Sequence, residues 1–267
     1  MRNEAYVIER IVAGFDPESA ETPALDIAAA LALALRVELV GLYVEDERLL
    51  RLAALPFARE YYLASSGSRR VVPEDIKRSL REQAERLRRT IAKMAERLAI
   101  RWRLDVVRGE IPRSALERAG VSDLLVVGGP RYRPLSLGPR GMPAAKPHAL
   151  RAHPIAVLFD ATPAAAHALS LAARCATRVG GDIIALNVAP DIDGFCALRE
   201  EVERQIAKIG AVSPAHLSFT NIFAAKSEAI ERALRGRHAA ALFWPRSEVS
   251  EIIKLRARLS VPLVLVG

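Results

Sequence analysis

The chain has 267 residues, 51% of them hydrophobic and 26% charged, which suits one large globular domain or two of about 130 residues and excludes a disordered or fibrous chain. Its 39 Lys and Arg against 31 Asp and Glu leave a net charge of +8, which permits an acidic partner without demanding one. Two cysteines, Cys175 and Cys196, exclude a disulfide framework or a cysteine-rich metal site. No uncharged apolar run reaches the roughly 18 residues of a membrane span. The start, Met1-Arg2-Asn3-Glu4, lacks the apolar core of a signal peptide. A cytoplasmic protein is therefore expected, with no membrane partner.

The first apolar run, Ile8 to Phe15, reads as a strand ending at Asp16. Thr22-Pro23 then opens an Ala/Leu-rich helix, and Leu39 to Val44 reads as a second strand. Ser65-Ser66-Gly67-Ser68 reads as a surface loop. Pro73 starts a long helix in which Ile76, Leu80, Ala84, Leu87, Ile91, Met94 and Leu98 step by three and four along one face. Arg81, Arg88, Arg89 and Lys93 lie off that stripe. Trp102, Leu104, Val106 and Val107 form a third strand. A helix through Leu116–Ala119 leads to a fourth strand, Leu124 to Val127. From Gly129 to His153 there is no apolar run of strand length, and five prolines discourage a long helix. The strand–helix alternation then resumes with Pro154–Phe159, an Ala-rich helix after Thr162-Pro163, Ile183–Val188, a helix through Ile230–Ala233, Ala240–Phe243 and, at the end, Val261–Val266.

The chain repeats itself. Asp16 and Asp160 each follow an apolar run, each is followed by a Thr-Pro pair, and each precedes a second strand end by 28 positions, at Val44 and Val188. The offset is 144. Leu116-Glu117-Arg118-Ala119 and Ile230-Glu231-Arg232-Ala233 match at an offset of 114, so the second copy has lost about thirty residues between its second strand and third helix. Continuous apolar strands alternating with helices imply parallel sheets covered on both faces. The expectation is an α/β protein of two tandem, open, Rossmann-like domains, 1–150 and 151–267, packed as a pseudo-two-fold pair. Ile155–Phe159 is assignable to the second half by the offset, or to the first as its missing fifth strand. Val261–Val266 is expected either to pair across to the first half or to stay available to a second copy of the chain.

In such sheets ligands bind beyond the carboxyl ends of the strands, where strand order reverses. Asp16, Val44 and Gly128 sit at such ends in the first half; Asp160, Val188 and Trp244 are their counterparts. A carboxylate there accepts hydrogen bonds from a base or ribose, a strand-end backbone can read an adenine edge, and a glycine lets backbone N–H groups approach phosphate. An aspartate between strand and helix is also an ordinary N-cap. Between Arg69 and Arg103 twelve basic residues face five acidic ones. This stretch reads as a solvated helix face or an anion-binding surface. With Trp102 its only aromatic, it lacks the stacking residues of single-strand binding, so nucleic acid is not expected. No Walker loop, His-Glu-x-x-His or Gly-x-Ser-x-Gly motif occurs, and the five histidines show no metal-ligand spacing.

The runs Ile11-Val12-Ala13-Gly14-Phe15-Asp16, Gly41-Leu42-Tyr43-Val44-Glu45-Asp46, Val106-Val107-Arg108-Gly109 and Ser122-Asp123-Leu124-Leu125-Val126-Val127-Gly128-Gly129 resemble the universal stress protein family as a tandem fusion, with Val261–Val266 supplying the characteristic ending. The resemblance spans nearly the whole chain. It implies the adenine-nucleotide α-hydrolase type of sheet and, in ATP-binding members, a loop of Gly, two residues, Gly, nine residues, Gly, then Ser or Thr. Asp16 matches the adenosine-contacting aspartate and Val44 the adenine-contacting strand end. Gly128 matches the first loop glycine, followed by Gly129. Arg131 stands where the second glycine belongs, Gly141 matches the third, and Met142 stands where the hydroxyl belongs; Gly138 replaces Gly141 if the loop is three residues shorter. In the second half Trp244-Pro245-Arg246-Ser247-Glu248 runs straight on, with no phosphate loop. The resemblance thus implies a stress-response protein that acts by binding. Its first half would hold ATP or another adenine nucleotide weakly if at all, and its second half none. An unidentified protein partner and a homodimer are further expectations. Slow ATP hydrolysis or nucleotide transfer, and a pure scaffold without nucleotide, are the alternatives.

Overall fold

The computed structural model describes residues 8–15, 23–61, 68–110, 113–120, 122–128, 153–210, 216–246, 249–259 and 261–267. They build a nine-stranded sheet between two layers of helices, plus a small hairpin of β3 (Arg59–Tyr61) with β4 (Ser68–Arg70). The strands of the large sheet are β1 (Arg10–Phe15), β2 (Glu38–Asp46), β5 (Trp102–Gly109), β6 (Asp123–Val127), β7 (Ile155–Phe159), β8 (Ile183–Val188), β9 (Leu217–Ile222), β10 (Ala241–Pro245) and β11 (Leu263–Val266). Their order is β5-β2-β1-β6-β11-β10-β7-β8-β9. Every neighbouring pair is parallel except β6 and β11, which run antiparallel with Leu263, Val264 and Leu265 opposite Val127, Val126 and Leu125.

The expected parallel sheets are thus fused edge to edge at one antiparallel join. Strand β11 takes the place beside β6 that a fifth strand of the first group would fill. It pairs with β10 on its other side, so both its edges are used. Strand β7 pairs with β8 and β10 and not with β6, which settles Ile155–Phe159 in the second group. The segment 129–152, where the sequence shows no strand, lies outside the described residues, as do Asp16 and Ser65–Gly67; Ser68 starts β4 and does not belong to a loop.

A short helix, α2 (Glu47–Ala53), follows β2 directly. One sheet face is covered by α1 (Pro23–Leu35), α3 (Pro73–Leu98), α5 (Pro163–Val179) and α6 (Ile192–Ile209), the other by α4 (Arg113–Arg118), α7 (Ser227–Leu234) and α8 (Val249–Arg258). Helix α1 packs against the sheet, α3 and α5 together. That is why its Ala/Leu sequence is buried almost all round, with only Leu33 among its leucines exposed. Arg178 of α5 donates to the carbonyl of Ala34 in the last turn of α1, where the helix leaves unpaired acceptors and favours a cation. Helix α3 buries Leu80, Ala84, Leu87, Ile91 and Met94, as its periodicity predicts, and exposes Arg81, Arg88, Arg89 and Lys93. Its stripe packs over Gly41 of β2. An added Cβ there would lie 2.8 Å from Ile91 Cδ1 and 2.9 Å from Leu104 Cδ1, so the glycine lets helix and strand approach.

Two features depart from the sequence reading. Strand β5 is not buried throughout: it is the outermost strand of the sheet, and Val106 is exposed although Leu104 on the same face is buried. Between β2 and α3 stand α2 and the β3–β4 hairpin. These fill the stretch that the second copy lacks.

Candidate functional site

The strand order reverses between β1 and β6 in the first group, because β1–α1–β2 builds to one side and β6 joins on the other. A crevice at the carboxyl ends of these two strands follows from that topology. The last described pair of β1 and β2 is Phe15 with Tyr43, and β2 continues to Asp46 along β5. The Leu39 N–H donates to Arg101 O on the β5 side. Parallel strands turn successive residues to alternate neighbours, so the even-numbered residues of β2 face β1. The Phe15–Tyr43 pair then joins the Val44 N–H to the Phe15 carbonyl, and the Val44 C=O lies on the same, β1-facing side of β2. Its side chain is buried with Val12, Leu42 and Val127 in the core under α4. A backbone carbonyl at a strand end can accept from the amino group of a planar base.

Gly128 follows β6, on the other side of β1. Its carbonyl accepts from Nε of Arg256, on α8, at 2.7 Å. Of the residues that the sequence singles out, the structure thus brings Val44 and Gly128 to one strand-end crevice. Asp16, Gly129, Arg131, Gly138 and Gly141 lie outside the described residues. Arg256 carries no sequence signal, since it stands 128 positions from its partner and in no motif.

The outer rim is ionic. Asp46 caps α2, accepting from the Arg48 N–H at 2.8 Å and from the Arg48 guanidinium. Burial opposes its ionised form, but the hydrogen bonds from Arg48 outweigh it and hold the carboxyl below its usual range. Arg48 also reaches Glu110 at 2.9 Å, and Glu45 pairs with Arg108 at 3.3 Å. Gly109, opposite Asp46, has φ +150°, and a Cβ there would stand 2.1 Å from Ser114 Oγ. Ser114 Oγ in turn accepts the Glu110 N–H at 3.2 Å. Glycine is required here for both reasons.

The corresponding crevice of the second group, between β7 and β10, is committed to structure. The Asp160 carboxylate accepts from Thr162 N at 3.0 Å and Thr162 Oγ1 at 2.6 Å. The cap of α5 is Thr162 itself, whose hydroxyl accepts from Ala165 N at 3.2 Å. Asp160 is therefore a brace for the cap and not the cap. At the end of β10, Arg246 turns away to the first group, donating to Gly120 O and Asp123 O at 2.8 Å each and to Ala119 O at 3.4 Å. Asp123 is buried and held by Arg10 Nε at 2.8 Å to both carboxylate oxygens. Cys175 is fully buried, which pushes its thiol up to about 12, out of reach of redox chemistry. Among the described residues no His/Cys/Asp/Glu cluster could hold a metal, and no helix is long and apolar enough to cross a membrane.

No family model matches the sequence, and no curated protein matches it. Solved structures match the fold. A universal stress protein from Archaeoglobus fulgidus DSM 4304 aligns over 98% of this chain and 97% of its own, at 14% identity and a TM-score of 0.57. A putative universal stress protein from Pseudomonas aeruginosa UCBPP-PA14 aligns over 99% and 95%, at 14% identity and a TM-score of 0.50. A universal stress protein solved in complex with cAMP aligns over 43% of this chain and 96% of its own, at 14% identity and a TM-score of 0.38. At these identities the likeness is one of architecture. Along nearly its whole length, the chain has the fold of the universal stress proteins.

Proposed function

We propose that this chain is a cytoplasmic stress-response protein that acts by binding, with units 1–150 and 151–267 in different roles. The first unit takes an adenine nucleotide, weakly, in the β1/β6 crevice. The second serves as an interaction scaffold for a protein partner. The observation that carries the nucleotide reading is the Val44 carbonyl on the β1-facing side of β2, with Gly128 at the carboxyl end of β6 across β1. The division of roles is supported by Asp160 and Arg246, whose polar groups are consumed by a helix cap and by the join to β6.

Calorimetric titration with adenosine, AMP, ADP and MgATP tests the reading. Weak binding is expected, and Asp16→Ala should weaken it by roughly 1–3 kcal/mol, the cost of an unpaired polar partner. Asp160→Ala should leave it unchanged. Sub-micromolar affinity would contradict the weak site. No heat with any of the four would leave the scaffold reading alone.

A further inference from the structure

The two outer strands of the large sheet are built differently. At β5 the side chains are charged and paired with one another or with β2: Arg103 reaches Glu38 at 3.1 Å and Asp105 at 3.6 Å, and Arg108 reaches Glu45 at 3.3 Å. Such charges keep an edge strand from pairing with another chain. At the far end, β9 reads Leu217-Ser218-Phe219-Thr220-Asn221-Ile222 and is followed by Phe223, with no charged residue and no proline. The Ala189 N–H donates to Ile222 O, so the even-numbered residues of β9 face β8. Leu217, Phe219 and Asn221 therefore turn their N–H and C=O groups to the outer edge, where no described strand meets them. Phe223, 76% exposed, follows the carboxyl end of β9, and the Ala189–Ile222 bond brings the start of α6, with Ile192 69% exposed, to the same end. Helix α6 packs over β8 on one face and α7 over β9 on the other. Arg199 of α6 lies over the Phe219 ring, 5.2 Å from its centre.

We propose that β9 pairs with β9 of a second copy of this chain, antiparallel about a two-fold axis. The strand is its own complement. With the axis at Thr220, Phe219 exchanges both backbone bonds with the partner's Asn221, and Leu217 meets the partner's Phe223. Apolar side chains then stand opposite one another, and no like charges meet. A six-residue strand is about 20 Å long and a sheet with a helix layer on each face about 30 Å thick, so roughly 600 Å² is covered on each partner. That is the lower end of the range for stable interfaces and suits a monomer–dimer equilibrium at micromolar concentration. The pairing does not depend on the nucleotide site, which belongs to the other strand group. Sedimentation velocity of the full chain, between about 1 and 200 µM, reads it directly. The mean mass should rise from 29.1 kDa toward twice that value. Thr220→Lys and Thr220→Glu should each hold the chain at monomer mass, because like charges then face each other across the axis, and mixing the two should restore the dimer. Phe223→Asp, at a side chain mostly in solvent, should raise the dissociation constant about tenfold or more. Val106→Lys, on β5, should leave it unchanged. Should the Thr220 variants not fold, these last two decide alone. A wild type that stays at 29.1 kDa at the highest concentration overturns the proposal. So does a dimer that survives Phe223→Asp or dissociates with Val106→Lys, and so do folded, monomeric Thr220 variants that fail to recombine.

Discussion

Replacing Arg246 with methionine probes the join that makes one sheet of two strand groups. The side chain leaves the end of β10 and donates to three carbonyls around the start of β6, at 2.8, 2.8 and 3.4 Å. A hydrogen bond to a charged group contributes about 1.5–3 kcal/mol, so the two short bonds amount to roughly 3–6 kcal/mol before any cost. Against this, Arg246 is half-buried, burial lowers its pKa, and its Nε finds no partner among the described residues. An unsatisfied buried donor costs about 1–3 kcal/mol. The net loss on Arg246→Met is expected to be about 2 kcal/mol. With a urea slope of about 3 kcal/mol/M, the unfolding midpoint should fall by about 0.7 M. Far-ultraviolet circular dichroism reports the whole fold, and the fluorescence of buried Trp244, two residues from the substitution, reports the join. The two transitions should coincide in the wild type. A change below about 0.5 kcal/mol, or a gain, would refute the reasoning by showing that desolvation cancels the bonds.

Gly109→Ala should destabilise by about 2–3 kcal/mol, because φ +150° and the 2.1 Å approach to Ser114 Oγ both oppose a side chain; in a thermal melt, adding Ser114→Ala should recover the steric part only. Burial raises the pKa of Asp26 to about 6, with nearby Arg97 partly opposing it. A raised folded pKa adds stability that is full below the unfolded value near 4 and is lost as pH rises through about 6. Asp26→Asn should therefore gain on the wild type between about pH 4 and pH 7.5, by about 1 kcal/mol after solvent screening, as read from urea midpoints; a constant difference across that range would refute the assignment. Asn187 is fully buried and neither its Nδ2 nor its Oδ1 has a partner among the described residues, so Asn187→Leu should hold or raise the melting temperature. A clear fall would show that the carboxamide is bonded to a solvent molecule inside the protein.

Much of this protein is local information, and that part is legible along the chain. Leu80, Ala84, Leu87, Ile91 and Met94 declare one buried face of α3 by spacing alone. Asp16 and Asp160, Val44 and Val188 declare a duplication by a constant offset. Val44 and Gly128 stand out as strand-end candidates because parallel sheets place ligands there whatever the sequence. What the sequence could not decide were choices between distant partners of equal local merit. Val261–Val266 is an apolar segment that would satisfy a second chain as well as β6, and only the assembled sheet sets its strand opposite Leu125, Val126 and Val127. Arg246 and Arg256 are two arginines among many until that antiparallel join carries β10 to the start of β6 and α8 to its end, over separations of 123 to 128 positions. Asp160 reads along the chain as a strand-end carboxylate and is a brace for Thr162, because the short turn into α5 puts the hydroxyl 2.6 Å from it. Periodicity and repeats are properties of neighbours in the chain; the reach of a long side chain across a sheet junction exists only once the strands have been ordered.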